Sequence, residues 1–453
     1  MSLVAAVDAG TASVRAGLFT ESGQLVAQSR RRVGVEHPTA DAVEQDAEEI
    51  FEAAVDLLAE CAALAGVNPS RVRHVGITNQ RASVVAWDVA SGRALAPVIG
   101  WQDTRTAARV DELRAVGIPM TTAASCTKIE WLNRNDAACA EAARARVLRF
   151  GTVDSWLGWK LSGGAFHVTD PSNAGSTGLY SAQAGGWNQR SLSLFGIDHR
   201  TLGDVVASDE MLHTSARSPL GHPVALSARC GDQVASAFAH DLTPGRAKLT
   251  LGTSAMVDLA RGADSSPAPS GAYVLPLWRL SRPVADAPPG EQFVLEGSVH
   301  AAGATVEWLT SVGLLDSVEL LDESVRRGRA GVDVVPAFAG LGTPHNDPDA
   351  RAVISGLALS STRDDIVRGA VLGIARRVSE VFATMGVAGE IVVDGGLSRS
   401  DELLQAIADL SGVALRRSAE PETTLHGIAR MASPQRDGGW SLTYDQHTFV
   451  PVS

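Results

Sequence analysis

The chain has 453 residues, too many for one ordinary hydrophobic core, so two domains of about 200 residues each are expected. Apolar residues make up 45% and charged residues 20%, and 39 basic against 51 acidic side chains give a formal net charge of −12. That balance argues against nucleic acid or an anionic membrane as a main partner, because both need a basic face. The cysteines, Cys61, Cys126, Cys139 and Cys230, are scattered without a Cys-x-x-Cys pair, so neither a zinc site nor a disulfide framework is expected and a reducing cytoplasm is.

The N-terminus, "MSLVAAVDAG", has no basic stretch and reaches Asp8 after the apolar run Leu3–Val7, which reads as a strand buried on both faces and not as a signal peptide. A Gly-Thr turn and a second strand, Val14–Phe19, follow, then a turn at 21–24 and a third strand over 25–33. Residues 43–66 predict an amphipathic helix with Ile50, Phe51, Ala54, Val55, Leu58 and Cys61 on one stripe and Gly66 as its stop. His74–Thr78 and Ser83–Trp87 read as strands on either side of a polar knot, Asn79-Gln80-Arg81, that is followed by the small residue Ala82. "KLTLGTSAMVDLARG" (248–262) echoes the opening scheme of strand, Gly-Thr turn and strand, which predicts two similarly folded halves, 1–244 and 245–453. Gly262–Gly290 reads as a loop or a loosely built hairpin, 361–386 as a helix with a Thr362/Asp365 capping pattern, and 390–412 as strand, glycine turn and helix. Residues 433–453 carry no clear period, and no run of 18 apolar residues predicts a membrane span.

Several short stretches carry chemistry. In Asp8-x-Gly10-Thr11-x-Ser13-x-Arg15 a small hydroxyl-rich turn presents backbone N–H groups to phosphate oxygens, Arg15 adds charge from a solvent-facing position, and Asp8 can hold Mg²⁺ through water. The plain alternative is a hairpin turn with an acidic strand end. Gly252-Thr253 supplies a second such turn, so a nucleotide clamped between two halves is expected. Asp394-Gly395-Gly396 is a close-approach loop where a base or ribose could lie against backbone, although any strand-to-helix turn favours glycine. Asp232, just before an apolar helical run, is either a helix cap or a general base for a substrate hydroxyl. Trp101, Asp103 and Arg105 precede another helix, where an N-cap aspartate is the plain reading. The histidines show no ligand spacing.

These motifs coincide in order with a known family. "DAGTASVR" (8–15), "GITNQR" (76–81), "GWQDTRT" (100–106), "GDQ" (231–233), "LTLGTSAM" (249–256), "LEGSVHAAGATVEWL" (295–309), "VPAFAGLGTPHNDPDAR" (335–351) and "VVDGGLSRS" (392–400) resemble the FGGY carbohydrate kinases, glycerol-kinase branch, of the actin–hexokinase superfamily. The resemblance implies an α/β fold of two ribonuclease H-like domains with a cleft between them, and ATP- and Mg²⁺-dependent phosphorylation of a hydroxyl on a small polyol or sugar, with room for a homodimer. Carried over position by position, it implies Asp232 as base and Arg81 and Gln233 on substrate hydroxyls. Thr11, Arg15, Thr253 and Gly303 would then lie beside phosphates, and Gly396 and Ser400 beside adenosine.

Two departures bear on the substrate. The family's glycerol kinases carry glutamate after the arginine of the Asn-Gln-Arg motif, where this chain has Ala82, and a tyrosine where it has Ala123. The expected acceptor is therefore larger than glycerol, with Asp103 as an extra hydroxyl acceptor. A divergent glycerol kinase and a nucleotide-binding regulator that has lost catalysis are the competing readings.

Overall fold

The structure, a computed structural model, describes residues 2–214, 218–269, 271–282, 290–420 and 422–452. The chain divides into two compact units. The first comprises Met1–Asp241, Pro276–Gln292 and Glu422–Ser441, and the second Leu242–Leu275, Phe293–Pro421 and Leu442–Ser453.

The sheet of the first unit is built from β1 (Leu3–Ala9), β2 (Ser13–Thr20), β3 (Leu25–Arg32), β4 (Val72–Asn79) and β5 (Ala225–Gly231), in the order β3-β2-β1-β4-β5, with the short strand Leu212–His213 at its edge. The first three strands form an antiparallel meander, and β4 and β5 join parallel to β1. β1 is buried along its whole length, as its unbroken apolar run requires, whereas β3 is largely exposed. α1 (Ala47–Leu64) starts later than its apolar period suggests. Asp46 caps it by accepting the Glu48 and Glu49 N–H groups, and Glu44–Gln45 pairs as a strand with Val98–Ile99. Its buried stripe includes Ile50, Ala54, Leu58 and Cys61 as expected, while Ala53 and Leu57 take the inward places assigned to Phe51 and Val55. The strand expected at Ser83–Trp87 forms over Val85–Asp88, because Ala82 adopts a left-handed conformation (φ 64°) that delays it. α2 (Ser125–Asn135) and α3 (Asp232–Ala239) complete the elements that matter for the site.

A second sheet repeats the scheme with β6 (Ala247–Leu251), β7 (Ala255–Gly262), β8 (Tyr273–Leu280), β9 (Gly290–Val299), β10 (Glu390–Asp394), β11 (Ala414–Ser418) and β12 (Tyr444–Phe449), ordered β8-β9-β7-β6-β10-β11-β12. The inner order β9-β7-β6-β10-β11 has the same strand directions as β3-β2-β1-β4-β5, so the echo of the Gly-Thr turn reflects a repeated topology. The excursion after Gly262 contains the strand β8, with residues 270 and 283–289 outside the described set. α4 (Gly303–Ser311) is followed by α5 (Arg363–Met385), which carries the expected Thr362/Asp365 capping box and ends at a left-handed Gly386, and by α6 (Asp401–Ser411). β12, which no sequence period announces, pairs antiparallel with β11; of its residues only Phe449 is buried.

Two later stretches, Pro276–Gln292 and Glu422–Ser441, return to the first compact unit. Buried Asp209 ties both in: it accepts from Ser281 and Arg282 backbone N–H groups and pairs with Arg436 at 2.9 Å. α7 (Thr423–Ala432) packs on α3 and β4 through glycines. A Cβ on Gly427 would collide with the Ala235 carbonyl, and one on Gly76 would lie 2.6 Å from the Ile428 carbonyl. Among the described residues no helix is long and apolar enough to cross a membrane. Gly427→Ala should therefore destabilise the protein by roughly 2 kcal/mol or more, read as a lower denaturant midpoint. Gly158→Ala, in a helix with nothing within 4 Å of the added methyl, should be neutral or stabilising by up to about 1 kcal/mol.

Candidate active site

The parallel strands of the first unit end in one row, with Ala9 opposite Asn79 and Asn79 opposite Gly231. Chains leaving such a row carry the ligand-binding groups of open α/β sheets. From β1 the chain makes the Gly10–Ser13 turn, closed by a 3.1 Å bond from the Gly10 N–H to the Ser13 carbonyl. Asp8, one residue inside the row, is buried, and burial pushes its carboxyl up to about 7 against the pull of Arg15. Its Oδ2 is 3.5 Å from Arg15, and its Oδ1 is buried without a hydrogen-bond partner. Arg15 differs from expectation: it lies on β2 opposite Asp8, only 31% exposed, and pairs with Glu422 at 2.9 Å. Antiparallel pairing turns it toward the carboxylates instead of solvent.

The polar knot after β4 resolves into two functions. Asn79 and Gln80 are buried and form a floor: Asn79 Nδ2 donates to Asn173 Oδ1 at 3.0 Å, Gln80 Nε2 to Gln45 Oε1 at 2.6 Å, and Gln45 Nε2 to the Thr11 carbonyl at 2.8 Å. Asp170 anchors this floor by accepting from Ser172, Asn173 and Ser208, and Ser172 Oγ accepts the Gly231 N–H. Arg81 turns the other way. Its stem lies over Gly231, where any Cβ would collide with it, and its Nε is 4.0 Å from Asp232 Oδ1. Asp232 is the first residue of α3 and does not cap it; Gly231 occupies the cap position, and the carboxylate, one-third exposed, accepts the Gln233 N–H. Residues 151 positions apart (232 − 81) thus meet at one strand-end row.

Trp101, passed over in favour of its neighbours, flanks this row. The residue is 39% exposed; its indole donates to Thr11 Oγ1 at 3.1 Å, while its backbone N–H donates to Ser83 Oγ. The signal available in the sequence was its position between a strand and a buried Asp-x-Arg pair. Asp103 departs from its expected role. It is fully buried, and its carboxylate accepts from the Val43 N–H and from the backbone and guanidinium of Arg105, leaving no face for a substrate hydroxyl. Ser13 is likewise turned inward, accepting from Arg30.

In the second unit the Gly252-Thr253 turn docks on the start of α4. The Gly303 N–H donates to the Gly252 carbonyl at 2.9 Å, and the Ala302 and Ala304 N–H groups donate to Thr253. A Cβ on Gly303 would lie 2.6 Å from that Gly252 carbonyl, so glycine is needed there. Gly395 (φ 91°) abuts the Leu251 carbonyl, while Gly396 faces open space. Ser400 is the N-cap of α6 and donates to Asp322 at 2.5 Å, so its hydroxyl is engaged within the fold instead of being free for adenosine.

Residues 3–239 match the N-terminal domain of the FGGY family of carbohydrate kinases, and residues 247–434 match its C-terminal domain. The chain belongs to this family. It is 37% identical over 447 residues to the glycerol kinase of Thermus brockianus, covering 95% of this chain and 89% of that protein. It is 38% identical over 456 residues to that of Geobacter sp. strain M21, with 95% and 90% coverage. Its fold superposes on Plasmodium falciparum glycerol kinase crystallised with ADP (TM-score 0.87, 25% identity, covering 96% of this chain and 90% of that one). It also matches the fold of xylulose kinase from Rhodospirillum rubrum (TM-score 0.83, 21% identity, 99% and 94%). This FGGY kinase is thus a phosphotransferase with an alcohol group as acceptor.

Its Asp8 has a measurable cost. The folded-state value, about 7, lies above the ordinary 3.8, so the folded protein holds this proton more tightly and ligand-free stability falls as pH rises from about 4 to about 7. Asp8→Asn should raise ligand-free stability at about pH 8 by roughly 1–3 kcal/mol, and by much less at about pH 5. Denaturant unfolding at both values checks this; a variant less stable than its parent at the higher pH contradicts the assignment.

Proposed function

We propose that this FGGY kinase transfers the γ-phosphoryl group of ATP to a terminal hydroxyl of a polyol or ketose longer than glycerol. The observation that carries the reading is the meeting of Arg81 and Asp232 on one strand-end row, with the small residue Ala82 next in the chain and its carbonyl held by Ser125, two residues after Ala123. Asp232 orients the acceptor hydroxyl and takes its proton as the phosphoryl group leaves ATP. Arg81 donates in a fixed fork to vicinal hydroxyls, and Gln233 adds a polar contact. The exposed indole of Trp101 offers an apolar wall to the carbon chain. Phosphoryl transfer needs positioning and charge neutralisation more than covalent help, which suits a site without a nucleophile.

Thr11 and Arg15 are assigned to nucleotide phosphates, with Arg15 exchanging its pairing to Glu422. Gly252, Thr253, Gly303 and Gly396 are assigned to backbone contacts with nucleotide. The unpartnered buried Oδ1 of Asp8, beside the charges of Asp232 and Glu422, fits Mg²⁺. Among the described residues no group of three or more ligating side chains forms, in keeping with a metal held by one or two carboxylates and by phosphates. When bound, Mg²⁺ neutralises charge on the transferred group.

The names of the relatives favour a second reading, a divergent glycerol kinase. Glycerol kinases of the family carry glutamate at the position of Ala82. Alanine supplies no acceptor there, and each missing hydrogen bond to a charged group costs roughly 1.5–3 kcal/mol. Loss of catalysis altogether fits poorly with the charges retained around Asp8 and Asp232, since a pure binder has no use for a base.

ADP release measured against glycerol, erythritol, xylitol, xylulose and ribulose decides the acceptor. A longer compound should exceed glycerol in kcat/KM, and Ala82→Glu with Ala123→Tyr should lower the glycerol KM by about tenfold or more. A preference of the unaltered protein for glycerol would establish the second reading. Asp232→Asn should leave ATP binding intact and lower kcat by about 10²-fold; near-normal turnover would remove Asp232 from this role.

A further inference from the structure

Only three of the 39 basic residues are lysines: Lys128, Lys160 and Lys248. Everywhere else this chain uses arginine, so the lysine positions call for what arginine lacks, a compact ammonium with three rotatable donors. Lys160 pairs with Glu48 at 2.8 Å, and buried Lys248 with Asp258 at 3.2 Å. Lys128 is different. It is fully buried on α2, and its hydrogen bonds go to backbone carbonyls, that of Trp101 at 3.2 Å and that of Ala123 at 3.0 Å. An apolar side chain of similar length would avoid the cost of burying a cation.

What these carbonyls belong to gives the cation its meaning. Trp101 is the residue whose indole holds Thr11 of the first turn, and Ala123 is one of the two truncated wall positions. The other, Ala82, offers its carbonyl to Ser125 Oγ at 2.9 Å, one turn earlier on the same helix. The first turns of α2 therefore gather two separate segments, around residues 82 and 101, and Lys128 ties the second of them to Ala123, in the lead into its own helix.

We propose that Lys128 is the positioning residue of the acceptor side: by holding the Trp101 and Ala123 carbonyls it fixes the indole against Thr11 and sets the length of polyol admitted. This rests on the reading of Arg81, Asp232 and Trp101 as the acceptor site. Lys128 touches no reacting atom in this scheme. Its charge is also poised to change. Burial pulls the ammonium down to about 7, opposed by Asp103; Cys126 on its own helix and Arg105 beside Asp103 are the other charged or titratable groups facing it. Above that pH the amine has lost its charge and one donor, and its hold on the two carbonyls weakens.

The test compares the parent protein with Lys128→Met and Lys128→Arg from about pH 6 to about pH 9, measuring KM for ATP and for the best acceptor in the panel. Lys128→Met should raise the acceptor KM by about tenfold or more, with the ATP KM within about twofold. Arginine, with its planar fork, should not restore it. In the parent the acceptor KM should climb as pH passes about 7, and in Lys128→Met it should be flat. An unmoved acceptor KM, or an equal rise for ATP, in a folded variant overturns the proposal.

Should Lys128→Met fail to fold, the parent alone decides. With only three lysines, ¹⁵N-lysine labelling resolves the Lys128 titration. Acrylamide quenching, taken as the difference from Trp101→Phe, reads whether the Trp101 indole loosens with the same midpoint. An indole indifferent to that titration overturns the proposal. Loosening with that midpoint, together with no turnover of any acceptor, supports the role of Lys128 and removes the acceptor reading instead.

Discussion

Three parallel strands ending in one row govern this site. Because Ala9, Asn79 and Gly231 are level, the residues that leave each strand emerge together, and Asp8, Arg81 and Asp232 share one small volume despite their distance in sequence. A slip of one residue in any strand would turn its side chains to the opposite face. The register is held by the buried run of β1 and by the amide floor of Gln45, Asn79, Gln80 and Asn173 beneath it. Gly231 and Gly427 serve the same end: the first lets the Arg81 stem lie against the strand end, the second lets α7 press on α3 and fix the helix that carries Asp232.

Charge burial runs against stability here. Asp8 is held where burial raises its carboxyl to about 7, and Lys128 where burial lowers its ammonium to about 7. Neither sits in a salt bridge short enough to offset desolvation fully; Asp8 has one long contact with Arg15, and Lys128 has carbonyls. Groups so placed are pre-organised for a ligand or a neighbour instead of relaxed into the free protein. Asp103 and Arg105 make the contrast, a fully hydrogen-bonded pair whose needs are met inside the fold. The residue type is the same in Asp8 and Asp103; what separates them is that Asp103 is fully hydrogen-bonded within the fold while the Oδ1 of Asp8 is not.

Much of the architecture was legible because it follows from local rules. The apolar run of β1, the Thr362/Asp365 capping box and the Gly386 stop of α5 each have a direct physical cause in sequence. The echo of the Gly-Thr turn pointed to the repeated sheet order. What stayed hidden depends on tertiary partners. β12 has only one buried residue and so no period, and α7 joins the first unit through close helix packing that no linear cut can show. At the strand-end row, the sequence singled out Arg81 and Asp232 by type, and the fold brings them within 4.0 Å, but the inward turn of Asp103, Ser13 and Ser400 was not legible. An aspartate or serine at a turn or helix start looks the same whether it faces ligand or fold, and its partners, Arg105, Arg30 and Asp322, declare themselves only in three dimensions. Trp101 is the opposite case: tryptophan is so often an anchor that its exposure shows only in the fold.

The repeated topology does not repeat the chemistry, and the difference is instructive. In the first unit the strand-end row releases charged side chains, Asp8 just inside it and Arg81 and Asp232 just beyond it. At the matching row of the second unit, the chain places Gly252, Gly303, Gly395 and Gly396, and backbone approaches backbone. Charged side chains there are turned under the loops, where Lys248 bonds Thr250 and Thr250 bonds Asp394. Fixed charges act through electrostatics and proton exchange, while bare backbone allows close approach and offers its N–H groups. One sheet scheme therefore supports two kinds of surface, because the strand order fixes where groups emerge and the residues after each strand fix their chemistry.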